Sequence, residues 1–554
     1  MAQTSKLKII SLGGVDEIGK NMTVLEYGDD ILVVDCGSMF PSDDMLGIDL
    51  VIPDISYLVA NKHRVRGYVF THGHEDHIGA SPYVLEQVPA PIYGTSLTLS
   101  LIDIKLREHH VNGIHFNTIV PRDEVRIGAF SVKFVKVNHS IPGACALIIT
   151  CGAGIVVHSG DFKIDYTPVD GEVTDLSSLS EVGSKGVLCL LCESTNIERS
   201  GYTMSEKKIG ETFVNQFRNA AGRVIVAMFA SNINRMQQVI DSAIRFGRKV
   251  CFVGRSMVNV SQVAMDIGEL VIPAERLLEI DDLDHYPDDE ILLLTTGSQG
   301  EPMSGLTRMA FSEHRKLQIK QSDKVIISAT PIPGNEKFVS RVINQLYRCG
   351  AEVIYEAMAE VHVSGHACQE EIKLFHTLVK PKYFIPVHGE YRMLWQHAEL
   401  AESLGMAREN IVIPVMGNVI EMDQNSVAIT GTVPTGEILI DGLGIGDVGN
   451  VVLRDRKHLS QDGLIIVAMA FDRTNGILVS GPDVISRGFV YVRENEDIIE
   501  STRDIVRGII GSYDHIDGSD WPSIKNRIKD ELHRYIFEKI KRNPMILPII
   551  VDLG

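Results

Sequence analysis

The chain has 554 residues, of which 44% are hydrophobic and 23% are charged, and its formal net charge is −19. A length of this order predicts about three domains rather than a single hydrophobic core. The apolar runs are too short to cross a bilayer, no apolar leader follows Met1, and the eight cysteines are scattered. These features argue against a membrane protein and a disulfide-rich secreted domain, and they favour a cytoplasmic protein with reduced thiols.

The negative net charge by itself argues against nucleic-acid binding, because contacts with phosphates depend on lysine and arginine. Local basic clusters do occur, at residues 314–316 and 539–542. A basic channel can also coexist with an acidic exterior, and metal ions supply local positive charge. The net charge therefore does not decide whether the substrate is a nucleic acid.

Residues 1–205 alternate strand-like and helix-like segments, which predicts an α/β domain. Within it, three histidines and an aspartate occur in six residues, from His72 to His77, directly after the strand-like run 67–70. Imidazole and carboxylate groups bind Zn²⁺ and Mn²⁺, and so dense a cluster is hard to pack otherwise. A histidine-rich polar turn is the alternative, but a chain with 19 histidines is not expected to gather three here by chance. We predict a metal site.

The spacing of these side chains favours two ions over one. His72 and His74 alternate and can face one ion, whereas the adjacent Asp76 and His77 can face a second. Neither pair completes a coordination shell, so further ligands must come from elsewhere in the chain. Three more apolar, strand-like runs end in a candidate ligand, and these candidates are His139, Asp161 and His388.

From residue 206 to residue 358 the alternation of strands and polar turns restarts, which predicts a second α/β unit. Residues 222–230 form a predicted buried strand, and a polar turn at Ser231 leads into a helix. Such turns cap helices or bind phosphate through backbone N–H groups, and capping is the expectation for any single turn. Residues 359–440 return to the first domain, because another core strand precedes His388.

After residue 440 the composition changes. Four glycines in eight residues predict a hinge or an extended linker within residues 441–460. In residues 461–554 we expect strands at 465–470 and 490–493 and an amphipathic helix at 521–541. This last region shows no catalytic constellation.

The ligand candidates, together with Asp35, resemble the motif series of the metallo-β-lactamase superfamily. Hydrolytic lactamases and glyoxalases place their last histidine ligand soon after the aspartate, but here no histidine lies between His158 and His285. A whole domain therefore precedes His388, an arrangement similar to that of the β-CASP nucleases, which cut RNA or DNA. Segments spread along the chain further resemble the ribonuclease J family, at residues 13–21, 296–302, 331–335, 364–371 and 481–489.

The resemblance implies an α/β fold in which a metallo-β-lactamase αββα sandwich carries an inserted β-CASP α/β domain and is followed by a small C-terminal α/β domain. The implied boundaries are 1–205 and 359–440 for the two parts of the metallo-β-lactamase domain, 206–358 for the β-CASP domain, 441–460 for a linker and 461–554 for a C-terminal assembly domain.

The resemblance also implies two divalent cations, with Zn²⁺ expected and Mn²⁺ or Mg²⁺ as alternatives. It gives His72, His74 and His139 to one ion, Asp76, His77 and His388 to the other, and Asp161 to both. Water activated between the ions is expected to attack the phosphodiester. Asp35 is expected to orient a ligating histidine, although a capping carboxylate at a strand-to-loop turn is nearly as good an interpretation.

His366 is the candidate general acid for the leaving oxygen, with Glu193 holding its imidazole ring. Many members of the family have aspartate where this chain has Glu193, a change that keeps the charge. Ser231, Ser364, Gly365 and His366 are expected to line a pocket for a 5′-monophosphate.

The implied function is a metal-dependent ribonuclease in mRNA turnover and rRNA maturation, with 5′→3′ exonuclease and endonuclease activity. It would bind RNA, form a homodimer or homotetramer through the C-terminal domain, and join a paralogue or an RNA-degradation complex. A weakly active assembly partner is the alternative, which the complete ligand set disfavours. A small-molecule hydrolase is disfavoured by the inserted domain.

Overall fold

A computed structural model of the chain describes residues 6–42, 44–218, 220–301, 303–332, 335–442, 444–472, 476–489, 496–513, 516 and 520–553. The predicted strand at 490–493 lies outside these residues. The chain divides into two compact units, Met1–Phe40 with Leu50–Ile438, and Pro41–Asp49 with Leu439–Gly554. Among the described residues, no helix is both long and apolar enough to cross a membrane.

The first part of the first unit alternates strands and helices. In chain order these are β1 (Leu7–Gly13), β2 (Met22–Tyr27), β3 (Asp30–Val34), β4 (Leu50–Pro53), α1 (Ser56–Ala60), β5 (Val65–Val69), α2 (Glu75–Ile78), α3 (Ser81–Gln87), β6 (Ile92–Gly94), α4 (Ser96–Glu108), β7 (Phe116–Thr118), β8 (Glu124–Ile127), β9 (Phe130–Lys136), β10 (Cys145–Cys151), β11 (Gly154–His158), α5 (Leu176–Lys185) and β12 (Val187–Glu193).

The inserted region follows and has its own elements. They are α6 (Lys207–Arg218), β13 (Val224–Ala227), α7 (Ile233–Arg245), β14 (Lys249–Val253), α8 (Arg255–Asp266), β15 (Ile291–Thr295), α9 (Gly305–Ala310), β16 (Lys324–Ile327), α10 (Glu336–Arg348) and β17 (Glu352–Ile354). The chain then returns through α11 (Gln369–Val379), β18 (Pro381–Val387), α12 (Tyr391–Ser403), β19 (Asn418–Met422) and β20 (Val427–Thr432).

Two sheets form a sandwich. One has the order β20-β19-β1-β2-β3-β5-β6-β7, and the other has the order β18-β12-β11-β10-β9-β8. Apolar side chains of both sheets, such as Leu25 and Leu147, share one buried cluster. A second cluster joins the outer face of the six-stranded sheet to helices α5, α11 and α12. Every residue of β12 is buried, as expected for a strand covered on both faces.

The inserted region is a parallel sheet of order β14-β15-β13-β16-β17 with helices around it. Its strands are short and almost wholly buried, which is typical of the parallel sheets of α/β domains. The strand predicted within residues 222–230 is confirmed as β13. Although the whole region separates β12 from β18 in sequence, these two strands pair directly in the six-stranded sheet.

The boundary between the two units falls in β21 (Glu437–Asp441). The second unit continues with β22 (Gly444–Ile445), α13 (Asn450–Asp462), β23 (Leu464–Asp472), β24 (Ile477–Arg487), α14 (Glu496–Gly511), α15 (Trp521–Ile540) and β25 (Met545–Asp552). The extended linker predicted at 441–460 is therefore wrong over much of its length. Helix α13 forms there because no glycine or proline interrupts 450–462, and glycines stand only at its two ends.

The sheet of the second unit has the order β24-β23-β25 and two different faces. Alternate residues of β23, such as Ile465 and Val467, join α14 and α15 in a buried core. On the other face Ile466 is paired with Leu547 and Ile485, and the latter two side chains are 44% and 45% exposed. Ile549 and Val551 extend this exposed apolar strip along β25. Among the residues that the structure describes, this sheet is thus covered on one face only.

Candidate metal centre and active site

The predicted metal ligands follow the ends of four strands, β5 of the eight-stranded sheet and β9, β11 and β18 of the six-stranded sheet. They are His72 and His74 after β5, Asp76 and His77 in helix α2, His139 after β9, Asp161 after β11 and His388 after β18. Buried strands bring these residues to one edge of the sandwich. The structure brings all seven together.

Three ring nitrogens define the first group. The Nδ1 atom of His74 lies 3.1 Å from Nε2 of His72 and 3.0 Å from Nε2 of His139. Three imidazoles facing one point at this spacing can bind one cation through their lone pairs. This is the grouping expected for the first ion.

Carboxylates enter the second group. The Oδ2 atom of Asp161 lies 3.2 Å from Nε2 of His77 and 3.3 Å from Nε2 of His388, and Asp76 Oδ2 lies 3.4 Å from the same His388 atom. Asp161 Oδ2 is also 3.6 Å from Nε2 of His72 in the first group. Asp161 therefore stands between the two groups, where a bridging ligand is expected.

Most ligand rings are held from behind by a second contact. Nδ1 of His77 lies 2.8 Å from Oδ2 of Asp35, and Nδ1 of His139 lies 2.8 Å from the carbonyl oxygen of Gly365. Nδ1 of His72 lies 3.0 Å from the hydroxyl of Thr71, which itself donates to Asp35. Such partners fix the ring orientation and the tautomer of metal ligands. Asp35 thus has the contact expected of an orienting carboxylate.

Unpaired buried atoms show that a cation fits here. Asp161 Oδ2 and both ring nitrogens of His388 are buried and form no hydrogen bond with the described residues. Burial, with the neighbouring histidines, lowers the pKa of His72 and of His139 well below the usual range, so both rings stay neutral and able to bind metal.

His77 experiences the opposite electrostatic balance. Burial lowers its pKa, but the carboxylates of Asp161, Asp76 and Asp35 outweigh burial and raise the pKa well above the usual range. The site therefore stabilises positive charge at this ring. A divalent cation supplies that charge, and the residues present fit two such ions.

His366 and Glu193 form a pair beside the metal ligands. Nδ1 of His366 lies 2.6 Å from Oε2 of Glu193, and Glu193 Oε1 accepts the backbone N–H of Phe162. Burial lowers the pKa of His366, but Glu193 and then the aspartates Asp161 and Asp76 raise it to about 9. The ring is held through Nδ1, and Nε2 has no hydrogen bond with the described residues. The contact predicted between these two side chains is present.

The predicted phosphate-binding residues are brought together only in part. Ser364 and Gly365 lie in the same segment as His366, and the hydroxyl of Ser364 accepts the Nδ2 amide of Asn196 at 2.8 Å. Ser231 lies in the turn before α7, where its carbonyl accepts the N–H of Ile233. No described hydrogen bond joins Ser231 to the other three residues.

Several residues that shape the site were not predicted. The Nδ2 atom of Asn21 lies 3.1 Å from Nε2 of His77 and donates to the carbonyl of Asp76. Asn196 and Thr203 both donate to the carbonyl oxygen of His366. Asn21 is the last residue of segment 13–21, one of the segments that resemble the family. This resemblance could have identified Asn21 as a residue of the site. Asn196 and Thr203 act through backbone contacts that no motif spacing reveals.

Sequence profiles of known families match most of the chain. They are described as "Metallo-beta-lactamase superfamily" for residues 15–178, "Ribonuclease J, beta-CASP domain" for 221–346, "Zn-dependent metallo-hydrolase RNA specificity domain" for 350–414 and "Ribonuclease J C-terminal domain" for 451–553. The sandwich, the inserted β-CASP domain and the C-terminal domain are thereby confirmed.

Full-length relatives agree with these profiles. Ribonuclease J2 of Bacillus subtilis is 45% identical over 99% of this chain and 99% of its own length. Ribonuclease J 1 of Streptococcus pyogenes is 42% identical over 99% of this chain and 98% of its own. A solved structure of a protein of unknown function from Enterococcus faecalis covers 75% of this chain and 100% of its own, with a TM-score of 0.53 and 16% identity, and supports the fold alone. The chain belongs to the ribonuclease J family of metal-dependent RNA hydrolases.

Proposed function

We propose that this ribonuclease degrades RNA in the 5′→3′ direction from 5′-monophosphate ends, and that it also cuts RNA internally. The observation that supports catalysis is the complete convergence of seven metal-ligand side chains beside the His366–Glu193 pair. A weakened assembly partner would not need every one of these groups. In cells, this activity fits mRNA turnover and rRNA maturation in the cytoplasm.

The proposed ligands are His72, His74 and His139 for one ion, Asp76, His77 and His388 for the second, and Asp161 for both, and Zn²⁺ is the proposed metal. Two bound cations would lower the pKa of a bound water and neutralise charge on the phosphate. Asp35 holds Nδ1 of His77, so that Nε2 would be free to bind a cation. The carbonyl of Gly365 does the same for His139.

His366 is proposed to protonate the leaving 3′ oxygen. Its Nδ1 contacts Glu193, so a proton on Nε2 is available to the substrate. The nearby carboxylates favour the imidazolium form, which is the form that a general acid requires. Glu193 is then a positioning and charge partner rather than a group that touches RNA.

A 5′-monophosphate pocket is proposed at Ser231, Ser364, Gly365 and His366. The charge of His366 supports it: burial lowers the pKa of this ring, but Glu193, Asp161 and Asp76 outweigh burial and raise the pKa to about 9. An imidazolium at this position would attract a phosphate. Internal cleavage requires only that RNA also reach the metal centre without a 5′ end in this pocket.

Assembly is proposed through the C-terminal domain, as a homodimer or homotetramer. The exposed apolar strip on β25, with Leu547, Ile549 and Val551, supports this proposal because a sheet face of this kind is usually covered. A paralogue or an RNA-degradation complex could use the same surface. The proposed domain boundaries remain 1–205 with 359–440 and 206–358, whereas the C-terminal domain is proposed to begin with helix α13 rather than at residue 461.

The test uses purified protein, Zn²⁺ or Mn²⁺, and RNA labelled at its 3′ end that carries either a 5′-monophosphate or a 5′-triphosphate. We expect faster loss of the monophosphorylated RNA, with the double variant Asp76→Ala, His77→Ala inactive. A circular RNA has no 5′ end, so its cleavage isolates the endonuclease activity. Absence of cleavage by metal-loaded wild type would overturn the proposal in favour of an assembly partner.

A further inference from the structure

Arg235 is a fully buried arginine in the first turn of helix α7, in the β-CASP domain. Its Nε and Nη2 atoms donate to both carboxylate oxygens of Glu206, at 2.7 Å and 3.2 Å. Its remaining donors reach two carbonyl oxygens, that of Ser328 at 2.9 Å and that of Val363 at 3.1 Å. One guanidinium thus joins the β-CASP sheet to the chain that returns to the metal centre.

Val363 lies three residues before His366, in the segment 361–366. Ser328, at the end of β16, contributes a second tie, because its hydroxyl donates to the carbonyl of Val361 at 2.6 Å. At its other end the segment is held by Asn196 and Thr203, which donate to the carbonyl of His366. The segment is therefore fixed at both ends by directed hydrogen bonds.

This segment carries two groups that act at the metal centre. The carbonyl of Gly365 orients His139, and a Cβ atom on Gly365 would lie 2.6 Å from the His139 ring, so the fit is close. The next residue, His366, faces Glu193. A shift of about 1 Å in such a segment can lower a rate about 100-fold.

We propose that Arg235 is a positioning residue for RNA hydrolysis, which acts from the β-CASP domain by holding segment 361–366. This inference rests on the proposed role of His366 and His139 at the metal centre. Through the carbonyl of Val363, Arg235 sets where Gly365 and His366 stand. The β-CASP domain then contributes to the chemical step itself, in addition to any contact with RNA.

The same domain offers a matched control. Arg223 also forms a buried bidentate pair, with Asp323, at 2.9 Å and 2.6 Å, and its Nη2 donates to the carbonyl of Gln318. All three of these residues belong to the β-CASP domain, and none lies in segment 361–366. Loss of this pair removes a similar buried contact without touching the segment.

The experiment compares Arg235→Lys, Ser328→Ala and Arg223→Lys in the full-length, metal-loaded protein. A lysine keeps the charge opposite Glu206 but cannot reach two carbonyls as well. We expect Arg235→Lys to lower kcat about 10- to 100-fold, Ser328→Ala to lower it about threefold, and both to leave KM within about twofold. Arg223→Lys should keep kcat within about twofold even where it lowers the melting temperature.

Hydrogen–deuterium exchange gives a readout that does not depend on activity. Arg235→Lys should speed exchange within 361–366, and Arg223→Lys should not. Equal kcat and equal exchange in the two arginine variants would overturn the inference. Should Arg235→Lys fail to fold, Glu206→Asp, which shortens the carboxylate that holds the Arg235 guanidinium, decides through the same two measurements. A wild type that cuts no RNA would refute the proposed function, while the exchange data would still decide whether Arg235 orders the segment.

Discussion

Two groups of buried or half-buried histidines lie in the metallo-β-lactamase domain, and their surroundings differ. In the metal centre, ring nitrogens of His72, His74 and His139 face one point, and the carboxylate of Asp161 stands beside them. Unpaired atoms of Asp161 and His388 remain buried there among the described residues. The metal centre therefore offers lone pairs and negative charge without a matching partner in the chain. A bound cation would supply that partner.

The second group consists of Cys192, His376 and His397, whose ligand-type atoms also lie within 4.8 Å of one another. Here Nε2 of His376 lies 3.1 Å from Nε2 of His397, whose Nδ1 lies 3.0 Å from the hydroxyl of Ser194. One neutral ring can donate to the other, and the grouping contains no carboxylate among the described residues. Closeness of ligand-type side chains therefore does not distinguish the two groups, whereas the nearby carboxylate of Asp161 and the unpaired buried atoms do.

The largest effect is expected from Asp161→Asn. The amide keeps the shape of the side chain but removes the negative charge between the two groups of ligands. We expect RNA cleavage to fall about 1000-fold or more, with loss of bound metal. Cleavage rates and elemental metal analysis check this prediction. If the variant kept both its activity and its metal, Asp161 would not be the bridging ligand.

A smaller effect is expected from Glu193→Gln, which removes the charge that faces His366. We expect kcat to fall about 10- to 100-fold while the metal content stays that of wild type, because Glu193 lies outside the two ligand groups. Single-turnover cleavage together with metal analysis tests this. Loss of metal in this variant would instead make Glu193 part of the metal centre.

His376→Gln tests the second histidine group directly. Since His376 and His397 satisfy each other, we expect this variant to bind as much metal as wild type and to cleave RNA within about twofold of its rate. Metal analysis of both proteins after dialysis gives the result. A loss of one ion per chain would show that the comparison between the two groups is wrong and that Cys192, His376 and His397 bind a cation.

The pH dependence of stability tests the burial of the second group. Burial lowers the pKa of His376 from the model-peptide value of 6.5 to about 4. Between these values the unfolded chain binds the extra proton, so the free energy of unfolding falls as the pH falls, by at most about 1.4 kcal/mol per pH unit. His376→Gln should lack this contribution. The melting temperatures of wild type and His376→Gln at about pH 7 and about pH 5 measure this contribution. An equal fall of melting temperature in the two proteins would contradict the prediction.

The metal centre was predictable from sequence because each ligand follows a buried strand, and strand ends of packed sheets meet at one edge. His388 was found in the same way, despite the long insertion before it. The contact of His366 with Glu193 required the family resemblance, since they lie far apart in the chain. The hydrogen bonds of Arg235 could not be predicted from the sequence. They end on backbone carbonyls, which every residue type has.

The C-terminal domain was predicted less well. Strand β23 and helix α15 follow clear apolar patterns and were found within a residue or two. Strand β24 was missed because Gly481 and Pro482 interrupt its pattern, and such residues are tolerated there since β24 is an edge strand. Helix α13 was mistaken for a linker because the glycine-rich run before it dominated the composition.

The pairing of β12 with β18 has a consequence for the synthesis of the protein. Glu193 at the end of β12 emerges early, but its neighbour strand and His388 are translated only after the entire β-CASP domain. Domains generally fold in order as the chain leaves the ribosome. A nascent chain that stops short of β18 therefore lacks one of the proposed ligands and is expected to be unable to cut RNA. Cleavage of RNA is therefore expected only after the ribosome has translated the part of the messenger that encodes the nuclease core.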